Sequence, residues 1–183
     1  ESKVLDGCLE KYAKTVTWAA CDKNLNSKQK RLGRPQKGIS AIPVTQAIRE
    51  QKVTMKALLV GCGKMGGALL QQWSRSADWD FTVVDPFAET VPEGVTLLKA
   101  REDLPDTMFD LLIVAVKPQM IDEVMPAYRT CLAPSGVVAS IAAGCSVDRL
   151  KTATGAGAVI RIMPNLPALI AQGVSGLYAS PDC

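Results

Sequence analysis

Three glycines, Gly61, Gly63 and Gly66, follow the spacing G-x-G-x-x-G. The pattern comes after an apolar run, residues 57–60, and before an amphipathic segment, so it predicts a strand, a tight turn and the start of a helix. The first glycine permits the turn, the second lets a ligand approach the backbone, and the third lets the helix pack against the strand. Because free N–H groups at the start of a helix bind anions, the segment predicts a site for the pyrophosphate of a dinucleotide.

A carboxylate at the end of the next apolar run bears on which dinucleotide binds. Asp85 lies 19 residues after Gly66 and directly follows the run Phe81–Val84. A carboxylate at this position accepts hydrogen bonds from the adenosine ribose and disfavours a 2′-phosphate. Asp85 therefore favours NADH, although the loop after it could also accommodate NADPH. The structural alternative is that Asp85 caps the turn before Pro86.

Small and polar residues also follow three later apolar runs. The segments are A-V-K-P-Q at 115–119, S-I-A-A-G at 140–144 and M-P-N at 163–165. Ligands of open α/β sheets bind beyond the carboxyl ends of the strands, so these segments are predicted to lie along a cofactor. Lys117 is placed near the phosphates or the nicotinamide ribose, or is a surface cation. Asn165 offers both a donor and an acceptor beside the nicotinamide.

The histidine and cysteine content excludes several kinds of chemistry. The chain contains no histidine, which excludes Ser-His-Asp and Cys-His catalysis and zinc sites that use histidine. None of the six cysteines forms a C-x-x-C pair, so we expect no metal site and interpret them as reduced thiols of a cytoplasmic protein. Cys62 lies inside the glycine pattern, where it is either a redox-sensitive thiol or a small filler residue; we expect the filler.

The order of elements after residue 54 indicates the fold class. Apolar runs that predict strands alternate with amphipathic segments that predict helices, which implies βαβ units and a doubly wound, Rossmann-type parallel sheet of the α/β class. Pro126 should kink the second helix or start a new turn. No apolar run approaches the ~20 residues of a transmembrane helix, so we expect no membrane partner. The predicted strands cover 57–60, 81–84, 95–98, 111–116, 137–141 and 158–163, and the predicted helices 65–76, 121–128 and 147–154.

The first 54 residues differ in charge from the rest. Residues 1–54 hold 11 Lys and Arg against 5 Asp and Glu, a net charge of +6, whereas residues 55–183 hold 10 against 13, a net charge of −3. We therefore predict two parts, an N-terminal extension or linker of unknown role and a cofactor-binding domain. The boundary falls at Met55, a natural starting residue for a fold that opens with its first strand.

Within this extension, a partly helical and basic segment is predicted. Apolar residues recur at helical spacing over about 3–20. The polar stretch after it contains Gly33-Arg34-Pro35, which resembles the core of a minor-groove AT-hook, but Leu32 stands where an arginine is usual. A nucleic-acid arm is one interpretation. We expect instead a solvated linker, and no nucleic-acid partner.

Four motifs, taken in order, resemble the N-terminal domain of Δ1-pyrroline-5-carboxylate reductases over residues 55–178. They are G-C-G-K-M-G at 61–66, A-V-K-P-Q at 115–119, S-I-A-A-G at 140–144 and R-I-M-P-N-L-P-A at 161–168, of which M-P-N-x-P-A is the most distinctive. The resemblance implies reduction of the cyclic imine pyrroline-5-carboxylate to proline with NADPH or NADH. With Asp85 and Asn165, the cofactor-binding residues are then Gly61, Cys62, Gly63, Lys64, Met65, Gly66, Ala115, Val116, Lys117, Pro118, Ala142, Ala143 and Gly144.

The resemblance also implies what the chain lacks. The family usually has threonine after the asparagine, where this chain has Leu166. In the family, a helical C-terminal domain follows, forms the dimer and supplies most of the imino-acid site. We therefore expect a cofactor domain with negligible activity alone, from an enzyme that is a homo-oligomer when complete. The absent histidine is consistent with this chemistry, because a protonated imine is already electrophilic. The alternatives are a reductase of the 3-hydroxyacid or prephenate dehydrogenase type and a non-catalytic NAD(P)-binding module.

Overall fold

The computed structural model of the chain describes residues 54–183. These residues form a seven-stranded sheet with the order β3-β2-β1-β4-β5-β6-β7. Strands β1 to β6 are parallel, and β7 runs antiparallel to β6 at the edge. The strands are β1 Met55–Val60, β2 Trp79–Val84, β3 Thr96–Leu98, β4 Phe109–Val114, β5 Leu132–Ser140, β6 Ala158–Pro164 and β7 Ser175–Ala179.

Three α-helices connect the parallel strands. Helix α1 (Lys64–Trp73) follows β1, α2 (Ile121–Val124) follows β4, and α3 (Val147–Thr154) follows β5. From β1 the chain moves one way across the sheet to β2, and from β4 it moves the other way to β5 and β6. Because such crossovers are right-handed, α1 lies on one face and α2 and α3 on the other. The predicted doubly wound Rossmann-type fold is confirmed.

Apart from shifts of up to about five residues in the bounds of single elements, two local features differ from the sequence prediction. The segment predicted as one helix over 121–128 is a single turn of α-helix that continues as a 3₁₀-helix over Met125–Cys131. Pro126 explains the change because it has no N–H to donate to the Asp122 carbonyl. The sheet is also not wholly parallel: β7 was not predicted, since S-G-L-Y-A lacks the alternation and β-branched residues typical of strands.

Both faces of the central strands β1, β4 and β5 are buried, which explains their continuous apolar runs. On β1, Leu58 and Val60 join the cluster that contains Ile121 and Leu150 from the helices of one face. Leu59, on the opposite face, is equally inaccessible to solvent. Burying a leucine side chain stabilises a fold by roughly 1.5–3 kcal/mol, so these strands are held firmly in register.

Some predictions lie outside the described residues. They are the helix over about 3–20 and the basic stretch. The domain boundary near residue 55 falls at the edge of the described residues, and all three stay predictions. Within residues 54–183, no helix combines the length and apolar content needed to cross a bilayer.

Candidate functional site

The carboxyl ends of four neighbouring strands form one straight row. In the sheet register Val84 is opposite Val60, Val60 opposite Val114, and Val114 opposite Ser140. The ladder extends one residue further, because the N–H groups of Gly61, Ala115 and Ile141 donate to the carbonyls of Val84, Val60 and Val114 at 2.9–3.0 Å. Three predicted segments therefore start side by side: the glycine loop (residues 61–66), the β4 loop (115–118) and the β5 loop (141–144).

Two of the three glycines are required by the protein's own packing. Gly61 has φ +90°, and a Cβ there would lie 2.9 Å from the backbone carbonyl carbon of Ala115. A Cβ on Gly66 would lie 3.0 Å from the Gly61 carbonyl oxygen and 3.2 Å from the Ala115 Cβ. All three distances are shorter than ordinary contacts. The tight turn and the close helix packing that the glycine spacing predicts are therefore present. Ala115 contacts both glycines, with its backbone against Gly61 and its Cβ against Gly66.

Gly63 is different, since no packing requirement explains it. A Cβ at this position would meet no protein atom within 4 Å, and φ −67° with ψ −172° suits any residue. Gly63 is the N-cap of α1, which has neither a side-chain cap nor an acidic residue in its first turn. The positive end of the helix dipole therefore faces open space. This arrangement fits the pyrophosphate of a dinucleotide, whose anionic oxygens bind helix N-termini.

Asp85 links the glycine loop to the loop after β2. Its side chain is nearly buried; Oδ2 accepts the Cys62 N–H at 2.5 Å, while Oδ1 accepts the N–H groups of Phe87 at 2.7 Å and Ala88 at 3.1 Å. Asp85 therefore caps the turn that follows it, as the structural alternative predicts. Its hydrogen bond to the Cys62 N–H also ties this turn to the glycine loop. An ionised carboxylate has about four acceptor positions, so three bonds leave little capacity for a ribose. The cofactor role of Asp85 stays a prediction.

The environment of Cys62 supports its interpretation as a filler. Burial raises the pKa of the Cys62 thiol, and the negative charge of Asp85 raises it further. The thiolate is the reactive form of cysteine, so a raised pKa lowers reactivity at neutral pH.

We expect iodoacetamide to modify Cys62 on the order of tenfold more slowly than exposed Cys183 at pH 7.5. The rate at Cys62 should rise as the pH approaches the raised pKa of the thiol. Peptide mass spectrometry of timed samples measures both sites in one reaction. Equal rates at the two cysteines would show that Cys62 is a reactive thiol after all.

The β5 loop continues the row with small residues. Ala142 is buried and donates its N–H to Ser140 Oγ at 3.2 Å, whereas Ala143 and Gly144 are exposed. Gly144 has φ +71°, the left-handed region that favours glycine, with no protein atom within 4 Å of a Cβ placed there. The chain thus turns into α3 and leaves the surface in front of the loop free.

Lys117 and Asn165 are both exposed near strand ends. Lys117 is the N-cap of the 3₁₀-turn Pro118–Met120, which extends the β4 loop. Asn165 follows β6, and its Oδ1 accepts the Val174 N–H at 3.0 Å, so the side chain closes the segment that leads into β7. This structural role was not foreseen. The Nδ2 donors of Asn165 remain compatible with the nicotinamide role, which stays a prediction.

One residue at the site was missed entirely by sequence reasoning. Arg149 of α3 contacts the Pro118 carbonyl oxygen and the Asp122 carboxylate, 31 and 27 residues earlier in the chain. A charged residue on an amphipathic helix carries no signal for such contacts. Among residues 54–183, there is no group of three or more potential ligands able to hold a metal ion.

Comparison with known proteins shows sequence similarity to pyrroline-5-carboxylate reductases. No family model matches the chain. The chain is 40% identical to the pyrroline-5-carboxylate reductase of Pasteurella multocida over 106 residues, 54% of this chain and 38% of that protein. It is 43% identical to the Pseudomonas aeruginosa reductase over 72 residues, 39% of this chain and 26% of that protein. The chain thus spans less than half the length of these relatives.

Solved structures share the fold. A Plasmodium falciparum pyrroline carboxylate reductase with NADP bound has a TM-score of 0.60 and 21% identity, covering 72% of this chain and 50% of its own. A Coxiella burnetii pyrroline-5-carboxylate reductase has a TM-score of 0.61 and 22% identity, covering 71% of this chain and 51% of its own. Both confirm the Rossmann-type architecture of the described residues.

Proposed function

We propose that residues 55–183 are the NAD(P)H-binding domain of a cytoplasmic pyrroline-5-carboxylate reductase, an oxidoreductase of proline biosynthesis. The observation that carries the proposal is the 40% identity to the Pasteurella multocida reductase. The row of small residues at the ends of β1, β4 and β5 supports it, because a dinucleotide lies across such a row.

In this proposal each part of the row has a separate task. The α1 N-terminus at Gly63 receives the pyrophosphate, and Asp85 lies at the adenosine end. The β4 and β5 loops support the nicotinamide half, with Lys117 and Asn165 beside it. The bound cofactor supplies a hydride. A protonated cyclic imine accepts a hydride without a base to remove a hydroxyl proton, so the protein's work is to orient the two molecules and exclude water.

The proposal includes a preference for NADH. The Asp85 carboxylate directly follows β2, where the 2′-phosphate of NADPH would come close to its negative charge. The three N–H donors spread part of that charge but do not cancel it. We expect NADH to bind about tenfold more tightly than NADPH, an effect of about 1.4 kcal/mol.

The whole enzyme is proposed to be a homo-oligomer. Several large apolar side chains are exposed around the end of β6 and on β7, although such patches are usually covered in a finished assembly. They are Met163, Leu166, Leu169, Ile170, Val174 and Tyr178. The part of the relatives that this chain does not match is the part proposed to cover these side chains.

Two measurements on the purified chain test the function. Titration with NADH and NADPH, followed by nicotinamide fluorescence, should show binding with the stated preference. Oxidation of NADH with pyrroline-5-carboxylate should be negligible for this chain and should appear when a reductase C-terminal domain is joined to it. Absence of binding to either cofactor would refute the proposal. Binding without turnover in the joined protein would favour the non-catalytic module, and turnover with a hydroxyacid would favour the other dehydrogenases.

A further inference from the structure

The Arg149 side chain joins two loops of the candidate site. Its Nη2 donates to the Pro118 carbonyl oxygen at 2.9 Å and to Asp122 Oδ2 at 2.7 Å, and its Nε lies 3.1 Å from both carboxylate oxygens of Asp122. Pro118 is the last residue of the β4 loop. On the other side, Nη1 lies 3.8 Å from Cys145 Sγ, directly after the β5 loop. One guanidinium therefore spans the gap between the ends of β4 and β5.

Hydrogen bonds at both ends of the Arg149 side chain fix the position of its guanidinium. The Arg149 backbone N–H donates to the Ser146 hydroxyl at 3.2 Å, which caps α3 and sets the direction in which the side chain leaves the helix. Asp122 orients the planar group from the other end. Their hydrogen bond lowers the pKa of the Asp122 carboxyl and raises the pKa of the Arg149 guanidinium, so both groups stay charged.

An exposed ion pair alone would contribute little to folding. The Pro118 carbonyl is what distinguishes this pair, since it belongs to the backbone of the β4 loop. An arginine can contact a carboxylate and a carbonyl at once because its donors form a rigid planar fork, which a lysine ammonium does not have.

We propose that Arg149 is a positioning residue for the nicotinamide half of the cofactor, acting by holding the β4 loop at a fixed separation from the β5 loop. The inference rests on the proposed function. Strands β4 and β5 lie on the opposite side of β1 from β2, so these loops face the nicotinamide half while Asp85 faces the adenosine half. The hydrogen bonds of Arg149 within residues 54–183 go to the segments after β4 and β5, not to the glycine loop or Asp85. Its loss should therefore weaken binding of one half of the dinucleotide only.

Arg129 provides a matched control in the same layer. It also joins α3 to the segment after β4, with Nε donating to the Ala153 carbonyl at 3.0 Å and Nη2 to the Thr152 carbonyl at 2.5 Å. These carbonyls lie at the carboxyl end of α3, which is the end of the sheet away from the candidate site. Arg129→Gln thus removes the same kind of clamp between the same elements, but far from the cofactor.

The experiment compares NADH with ADP-ribose, which lacks the nicotinamide, in three proteins: the unchanged chain, Arg149→Gln and Arg129→Gln. We expect Arg149→Gln to weaken NADH binding about tenfold and to reduce the fluorescence enhancement of bound NADH, with ADP-ribose affinity within about twofold of the unchanged chain. Arg129→Gln should lower Tm without altering either affinity. Calorimetry and NADH fluorescence give both constants.

The outcomes separate this inference from the proposed function. If the unchanged chain binds neither ligand, the proposed function fails. If the unchanged chain binds NADH but Arg149→Gln binds NADH equally well, the positioning role is overturned. The same holds if Arg149→Gln weakens ADP-ribose binding as much as NADH binding. Should Arg149→Gln fail to fold, Asp122→Asn keeps the side-chain size and removes the orienting charge. Asp122→Asn should weaken NADH binding about two- to fivefold and leave ADP-ribose binding unchanged. Equal weakening of NADH and ADP-ribose binding would again overturn the inference.

Discussion

Replacing Gly63 with alanine is expected to weaken NADH binding by about 10- to 100-fold while changing the free energy of unfolding by less than about 1 kcal/mol. The added methyl group would meet no protein atom within 4 Å, and the backbone angles at Gly63 suit alanine. The small stability change comes from alanine being a poorer N-cap than glycine. The large binding change comes from a methyl group placed where the pyrophosphate must approach the backbone.

Two other glycine substitutions make this prediction specific. Gly157→Ala also adds a methyl group in open space, but it lies directly before β6, at the end of the sheet opposite the candidate site. It should therefore change neither NADH affinity nor the free energy of unfolding. Gly61→Ala adds a methyl group against the Ala115 backbone at φ +90°, so it should destabilise the fold by about 2 kcal/mol or more. Urea unfolding and NADH titration of all three variants provide the measurements. Normal NADH affinity in Gly63→Ala would show that no cofactor approaches this backbone.

Replacing Asp85 with asparagine is expected to lower the free energy of unfolding by about 1–3 kcal/mol, through the loss of one buried hydrogen bond. Both carboxylate oxygens are in use, one by the N–H groups of Phe87 and Ala88 and the other by the N–H of Cys62. Asparagine keeps one oxygen, which can retain the turn, but turns an NH₂ group toward Cys62. Two donors then face each other, and the glycine loop loses its link to the end of β2.

Asp110 offers the matched comparison for this substitution. Its Oδ2 accepts a single backbone N–H, from Lys56 at 2.9 Å, and asparagine can supply the one oxygen needed. Asp110→Asn should therefore change stability by less than about 0.5 kcal/mol. Chemical denaturation distinguishes the two variants. Unchanged stability of Asp85→Asn would mean that the bond to Cys62 contributes nothing.

Asp85→Asn should change two further properties. It removes the negative charge that helps to raise the Cys62 pKa, so alkylation of Cys62 should become faster. It should also narrow the preference for NADH, since the charge opposed to a 2′-phosphate is gone. An unchanged ratio of NADH to NADPH affinity would assign the preference to another residue.

Short sequence patterns were sufficient to predict those features of the fold whose physical cause acts within a few residues. The spacing of Gly61, Gly63 and Gly66 determines a turn and a helix start within six residues, and the continuous apolar runs of β1 and β4 require burial on both faces of a sheet. Pro126 interrupts its helix because of its own missing N–H. These features sufficed to predict the Rossmann-type fold and the segments that its strand ends bring together.

The bonds that hold the site together depend on contacts between distant residues. Asp85 reaches Cys62 across 23 residues, and Arg149 reaches Pro118 across 31. Strand β7 exists because Ser175–Ala179 finds an open edge on β6, not because its own residues favour a strand. The sequence by itself determined which segments become the six parallel strands and the helices between them, since burial and backbone preferences act over a few residues. Only the tertiary structure decided which polar groups meet, because that depends on the register between strands and helices far apart in the chain.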